Sequence, residues 1–185
     1  DPERTLCAAW TRVPGVGPGW AMALHHHFGS WEAAWCAPAG ALAAVRLLDP
    51  AGRPGGRALG AAAAQAAVAA RDGLDPVALA AAGRAAGDAF VMAADADYPA
   101  ALHDLAVPPP ALWVRGGWPL EPRAVALVGA RQASPYGLRQ ARKLGHDLAA
   151  AGVTVVSGAA AGVDRAAHEG AMAAPGGRTV AVLGC

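Results

Sequence analysis

The feature that most constrains this chain is a strand-turn-helix junction that occurs twice between Val125 and His168. In the first, the apolar run from Val125 to Val128 ends in Gly129, Ala130 and Arg131, and Ser134, Pro135 and Tyr136 open a helical run. In the second, the run from Val153 to Val156 ends in Ser157 and Gly158, and Gly162 and Asp164 open another helix that carries His168. A junction of this kind leaves backbone N–H groups without intrahelical partners and suits an anion, above all a phosphate. Strands over 124–128, 153–156 and 179–183 and helices over 136–151 and 163–173 follow from the pattern. Such alternation predicts an α/β fold with an open parallel, Rossmann-like sheet and right-handed crossovers. Ligands of open sheets sit outside the carboxyl ends of the strands. Both turns follow strands, so both lie on that edge and can converge on one ligand.

The first 87 residues read differently. They predict a small all-helical domain, with helices around 39–48, 56–71 and 75–86 in an alanine-rich stretch. Between two apolar-periodic segments, Pro14 to Gly19 forms a tight turn whose Gly15 and Gly17 permit positive φ and close helix approach. The pattern is similar to a SAM-like or helix-hairpin-helix module, which makes Gly15 and Gly17 candidate contacts to a DNA phosphate. Trp31 and Trp35 stand four apart on one helix face and read as core. His25, His26 and His27 are consecutive, point to different faces and cannot converge on a metal. The period changes at Asp88: Phe90 to Met92 and Leu112 to Val114 read as strands, and the stretch from Asp95 to Leu102 between them begins a short helix. The expected organisation is a helical domain over 1–87 and a Rossmann-like domain over 88–185. The chain stops after the third predicted strand of that unit, which reads as a domain missing its distal half.

Net charge is +1 over the 185 residues, but it is unevenly spread. Residues 88–121 hold one Arg against five acids, whereas 122–185 hold six Arg and Lys143 against Asp147, Asp164 and Glu169. The half suited to phosphate is therefore the basic half. Cys7, Cys36 and Cys185 are scattered, odd in number and without C-x-x-C spacing, so buried or half-buried free thiols are expected instead of disulfides or zinc. No apolar run approaches the ~20 residues needed to cross a bilayer, and no export signal opens the chain. No membrane association is expected, and the chain reads as cytoplasmic.

The candidate phosphate-binding residues are Gly129, Arg131, Ser134, Ser157 and Gly158. A planar guanidinium at Arg131 can hold a phosphate through two parallel charge-assisted bonds. Ser134 is placed to cap its helix or donate to the same phosphate. Tyr136, Gly162, Asp164, Arg165 and His168 are further candidates, in ligand binding or in structure. Asp164 and His168 share a helix face; without a separate nucleophile they read as a dipole-stabilising acid and a histidine bonded to it or to the neighbouring loop. Neither turn matches a P-loop or G-x-G-x-x-G, so ATP hydrolysis and dinucleotide binding lack support. No catalytic residue, metal or cofactor is expected.

Four segments together resemble the DNA-processing protein A (DprA, also called Smf) family of bacteria. They are Asp97-Tyr98-Pro99 with Leu102; Gly129-Ala130-Arg131 with Ser134, Tyr136 and Gly137; Ser157-Gly158 with Gly162, Asp164, His168 and Gly170; and Thr179 to Gly184. The resemblance implies an extended Rossmann domain that binds single-stranded DNA, protects incoming strands and loads the RecA recombinase onto them in natural transformation. It implies that Arg131 is the family's phosphate-binding arginine and that family members dimerise through later parts of the domain. Members commonly carry a basic residue in the second loop, where this chain has Ala159, Ala160 and Ala161. The alternative is a nucleotide phosphoribohydrolase of the lysine decarboxylase-like Rossmann family. Its P-G-G-x-G-T-x-x-E motif is only partly echoed by Pro175 to Thr179, without the catalytic Glu.

Overall fold

The computed structural model describes residues 1–117 and 123–184. They fall into two compact units, Asp1–Pro119 and Leu120–Cys185.

The first unit begins with α1 (Pro2–Trp10), α2 (Pro18–Phe28), α3 (Trp31–Cys36) and α4 (Ala39–Ala43). Asp1 caps α1 by accepting from Glu3 N, and Ser30 caps α3 by accepting from Ala33 N. The α1–α2 turn places Val13 and Val16 in the core and sets Gly15 at φ 81°, a conformation glycine adopts without strain. Trp10, Leu24 and Leu42 are fully buried, and Trp31 and Trp35 join them, with Trp35 edge-on to Trp10 at 5.3 Å. The histidines diverge as their spacing requires: His25 lies against Trp31, while His26 and His27 are exposed.

This region is not all helical. The helix expected over 39–48 ends at Ala43, and that expected over 56–71 begins only at Ala61. Between them β1 (Arg46–Leu48) and β2 (Pro54–Ala58) pair antiparallel. The reason lies in the turn. Asp49 Oδ1 accepts from Ala51 N and Arg53 N, and Gly52 takes φ 75°. A Cβ on Gly56 would come 2.8 Å from Leu47 Cβ, so glycine is what lets the two strands close. Then follow α5 (Ala61–Asp72) and α6 (Pro76–Ala85), the latter capped by Asp75.

β3 (Asp88–Met92) and β4 (Ala111–Arg115) form an antiparallel hairpin, with a 3-10 helix at Ala100–Asp104 between them. The change of period at Asp88 is real, yet the hairpin packs with the helices before it. Phe90, Met92 and Ala111 join their core, Arg4 holds Asp95 and the Phe90 carbonyl, and Trp113 Nε1 donates to Thr11 Oγ1 at 3.2 Å. The first compact unit therefore runs on through this hairpin to Pro119.

The second unit alternates β5 (Ala124–Ala126), α7 (Pro135–Ala150), β6 (Thr154–Ser157), α8 (Val163–Ala173) and β7 (Thr179–Ala181). The strands are parallel in the order β5-β6-β7, which is the α/β, open-sheet class expected. Val155, at the centre of β6, is fully buried with Ala149, Ala167 and Ala171 of the helices. The core is made of small side chains because the helices touch backbone to backbone. A Cβ on Gly145 would lie 2.3 Å from the Ala167 carbonyl oxygen, and one on Gly170 would lie 2.0 Å from that of Arg142. Cys7 is buried, which pushes its thiol up to about 12, whereas Cys36 is exposed on the end of α3 and departs from the half-buried expectation. Cys185 lies outside the described residues. Among the described residues, no helix is long and apolar enough to cross a membrane.

Candidate nucleic-acid interface

The two junctions meet. Gly162, the N-cap of α8, takes φ 89°, and a Cβ there would stand 2.3 Å from the Ala130 carbonyl oxygen and 2.5 Å from that of Arg131. Val163 N donates to Ala130 O at 3.2 Å, and a Cβ on Gly129 would meet the Val163 side chain at 2.8 Å. Val163 is a contact that sequence reasoning missed, since nothing in a lone valine signals which turn it will face. Asp164, only 7% exposed, closes the junction: its Oδ1 accepts from Gly129 N at 3.3 Å, and its Oδ2 stands 3.0 Å from where a Cβ on Gly158 would lie. Its place in the first turn of α8 also suits the helix dipole.

The small polar groups are divided between structure and surface. Ser157 is buried and donates its hydroxyl to Leu127 O at 2.6 Å, fastening β6 to the end of β5. Ser134 caps α7, accepting from Gly137 N at 3.1 Å. With the Gly129 amide turned to Asp164, three of the five candidate phosphate ligands thus have internal partners. The other two are open. Gly158 is exposed, and Arg131 is exposed with no ion pair or hydrogen bond among the described residues. Tyr136, in the first turn of α7, is 64% exposed. Ala159 (φ 55°), Ala160 and Ala161 line a shallow hollow of about 470 Å³ with Arg165 and His168.

Asp164 and His168 do not bond to each other. His168 Nδ1 lies 2.6 Å from Thr179 Oγ1, whose hydroxyl donates to Val155 O at 2.8 Å. The threonine proton is committed, so His168 donates from Nδ1, and α8 is tied through β7 to β6. The partner is a β7 residue and not Asp164 or the loop; the i, i+4 spacing could not reveal it because it lies on another strand. Pro175 to Arg178 lead into β7 instead of starting a helix. Gly15 and Gly17 belong to the first unit, where a side chain on either would meet open space. Among the described residues no cluster of three metal-ligating side chains occurs.

A three-stranded parallel sheet in which a helix opens after each of two adjacent strands defines an open-sheet, Rossmann-like domain. The chain belongs to the DNA recombination-mediator protein A family, whose sequence profile matches residues 89–185. It is 33% identical to protein Smf of Synechocystis over 98% of this chain and 44% of that protein. It is also 47% identical to a putative DNA processing protein DprA of Mycobacterium tuberculosis over 40% of this chain and 20% of that one. The chain thus spans less than half the length of the curated relatives it matches. Among solved structures, DNA processing protein A from Streptococcus pneumoniae matches 97% of this chain and 55% of its own, with a TM-score of 0.58 at 21% identity, a likeness of fold.

Proposed function

We propose that the chain binds single-stranded DNA, holding a backbone phosphate at Arg131 and the exposed Gly158 turn, and that the whole protein delivers the strand to RecA in natural transformation. The observation that carries this reading is Arg131 itself: an exposed guanidinium without a partner among the described residues, at the point where two helix-opening turns touch. Leaving a cation unpaired there makes sense if an anion supplies the pair. Tyr136, exposed in the first turn of α7, offers a ring for an unstacked base. In this reading the protein is cytoplasmic, works by binding and not by catalysis, and dimerises through parts of the whole protein outside these residues. The turn at Gly15 and Gly17 is an accessory DNA contact of the N-terminal domain, taken as residues 1–87.

The test is binding of fluorescent oligo-dT to the 185-residue chain. Arg131→Ala is expected to weaken it by ~1.5–3 kcal/mol, the worth of a charged hydrogen bond, or roughly 10- to 150-fold in Kd. Arg131→Lys, which keeps the charge but loses the paired geometry, is expected to fall between. Unchanged affinity in Arg131→Ala would remove the claim. Release of free base from AMP that depends on Asp164 or His168 would favour the phosphoribohydrolase reading instead.

A further inference from the structure

The outward surface of α7 and α8 carries charge that a contact at Arg131 does not use. Arg139, Arg142 and Lys143 recur on α7 at a spacing that puts them on one helix face, and Arg165 stands on α8. All four are exposed, and they make up four of the seven Lys and Arg of residues 122–185.

The cations are not arranged as simple neutral pairs. Glu169 accepts from both helices: Arg142 Nη2 donates to its Oε2, and Arg165 Nε donates to its Oε1 at 2.8 Å. Both guanidiniums hold its carboxyl below the usual range, Arg142 more strongly. One carboxylate thus serves two arginines, leaving the triad with a net positive charge. A guanidinium has five N–H donors, so most of those on Arg142 and Arg165 remain open after this contact. Lys143 pairs with Asp147 on its own helix, while Arg139 has no ion pair among the described residues. Hollows flank the triad on both sides. One is lined by Ala159–Ala161 with Arg165; the other, of about 330 Å³, lies beside Arg139 and Arg142 over Gly170 and Ala173.

We propose that this face is a second backbone-binding surface, which carries the continuation of the same single strand whose phosphate sits at Arg131; it rests on that reading. The geometry favours a polymer over an isolated anion. Arg142 lies seven residues into α7 from Pro135, about 10 Å along the axis at ~1.5 Å per residue, so a strand leaving Arg131 along the helix meets Arg139 and then the triad. Guanidiniums fixed by Glu169 lose little further freedom on gripping a phosphate. The device also supplies a cation beside the alanine-only loop at 159–161, in the form of Arg165 from the following helix.

The alternative is a staple that only joins α7 to α8, and the two differ in what they do to binding. Oligo-dT of about 6 and about 25 nucleotides is titrated against the full chain at several salt concentrations. Arg142→Gln/Arg165→Gln is expected to weaken the long oligomer ~10-fold or more and to reduce its salt slope by about 1.4, or ~0.7 per lost phosphate contact. The short oligomer is expected to stay within about twofold of the parent. Glu169→Gln removes the staple's anion but keeps both cations, and is expected to tighten the long oligomer. Unchanged long-oligomer affinity and slope in the double variant overturn the proposal, as does an equal loss at both lengths or weaker binding by Glu169→Gln. Arg131→Ala, run alongside, separates the two claims. If it weakens both lengths while the double variant does nothing, the first site stands and the second falls; if the parent binds neither length, both fall.

Discussion

Gly162 explains at one residue why the two turns of the sheet edge act together. Its positive φ and its approach to the Ala130 and Arg131 carbonyls leave no room for a methyl group. Gly162→Ala is therefore expected to cost at least the ~1–3 kcal/mol of an overpacked contact and to displace Arg131, lowering stability and oligo-dT affinity together. Urea unfolding and anisotropy on the same sample check this, and a stable variant with parent-like binding would show that the turns need not touch. Asp164→Asn tests the other tie, since it keeps the shape but weakens acceptance from Gly129 N. Residue identity alone pointed to these positions, because Gly, Ser and Arg after a strand suit an anion. It could not tell which donors stay open. Ser157 and Gly129 spend theirs on Leu127 and Asp164, partners fixed only when chain segments tens of residues apart came together, whereas Ser134 accepts from Gly137 N three residues on.

Elements differ in how plainly the chain announces them. Strand-helix alternation in the second unit was legible because β-branched runs and capped amphipathic runs carry different periods. β1 and β2 were not, since Val45 to Leu48 follows an alanine-rich helix without a break and is too short for its period to decide. Glu3 is another element-scale device invisible to pattern: from α1 its carboxylate accepts from Trp31 N and Glu32 N at the start of α3, 2.8 and 2.9 Å away. Glu3→Ala should lower unfolding free energy by roughly 1–2 kcal/mol, a helix-cap loss. A melting temperature within a degree of the parent would argue against it. The Arg4–Asp95 bridge, which ties α1 to the end of β3, adds a pH dependence. The Asp95 carboxyl is held low by the Arg4 side chain and, less so, by Met92 N, while burial opposes. A depressed folded pKa means that its contribution is present above the unfolded value of about 3.9 and is lost as pH falls through the folded one. Urea midpoints of the parent should thus drop below about pH 4 more steeply than those of Asp95→Asn; parallel pH curves would exclude this bridge as a cause.

At the scale of the whole molecule, the two units are built from unlike materials. The first encloses Trp10, Trp31, Leu24 and Leu42, whereas the second relies on Val155, a few alanines and glycine-mediated helix contact. Large side chains bury more apolar area per residue, so the second unit should have the smaller stability of the two. The sequence supplies separate reporters. All six tryptophans precede residue 120, and the second unit has Tyr136 but neither Trp nor Phe. Tryptophan fluorescence thus follows the first unit, while far-UV circular dichroism follows both. Under urea, the dichroism should begin to fall before the fluorescence shifts. Single-stranded DNA bound at the Arg131 edge stabilises only the folded state it binds, by about 2.7 kcal/mol at a hundred times Kd. Added oligo-dT should therefore move the early dichroism step to higher urea and leave the fluorescence step in place. If the two curves coincide, the units unfold as one and the inequality of their cores has no thermodynamic expression. If oligo-dT moves the fluorescence step alone, the principal DNA contact lies in the first unit, at a place such as the Gly15–Gly17 turn, and the assignment to Arg131 fails with it.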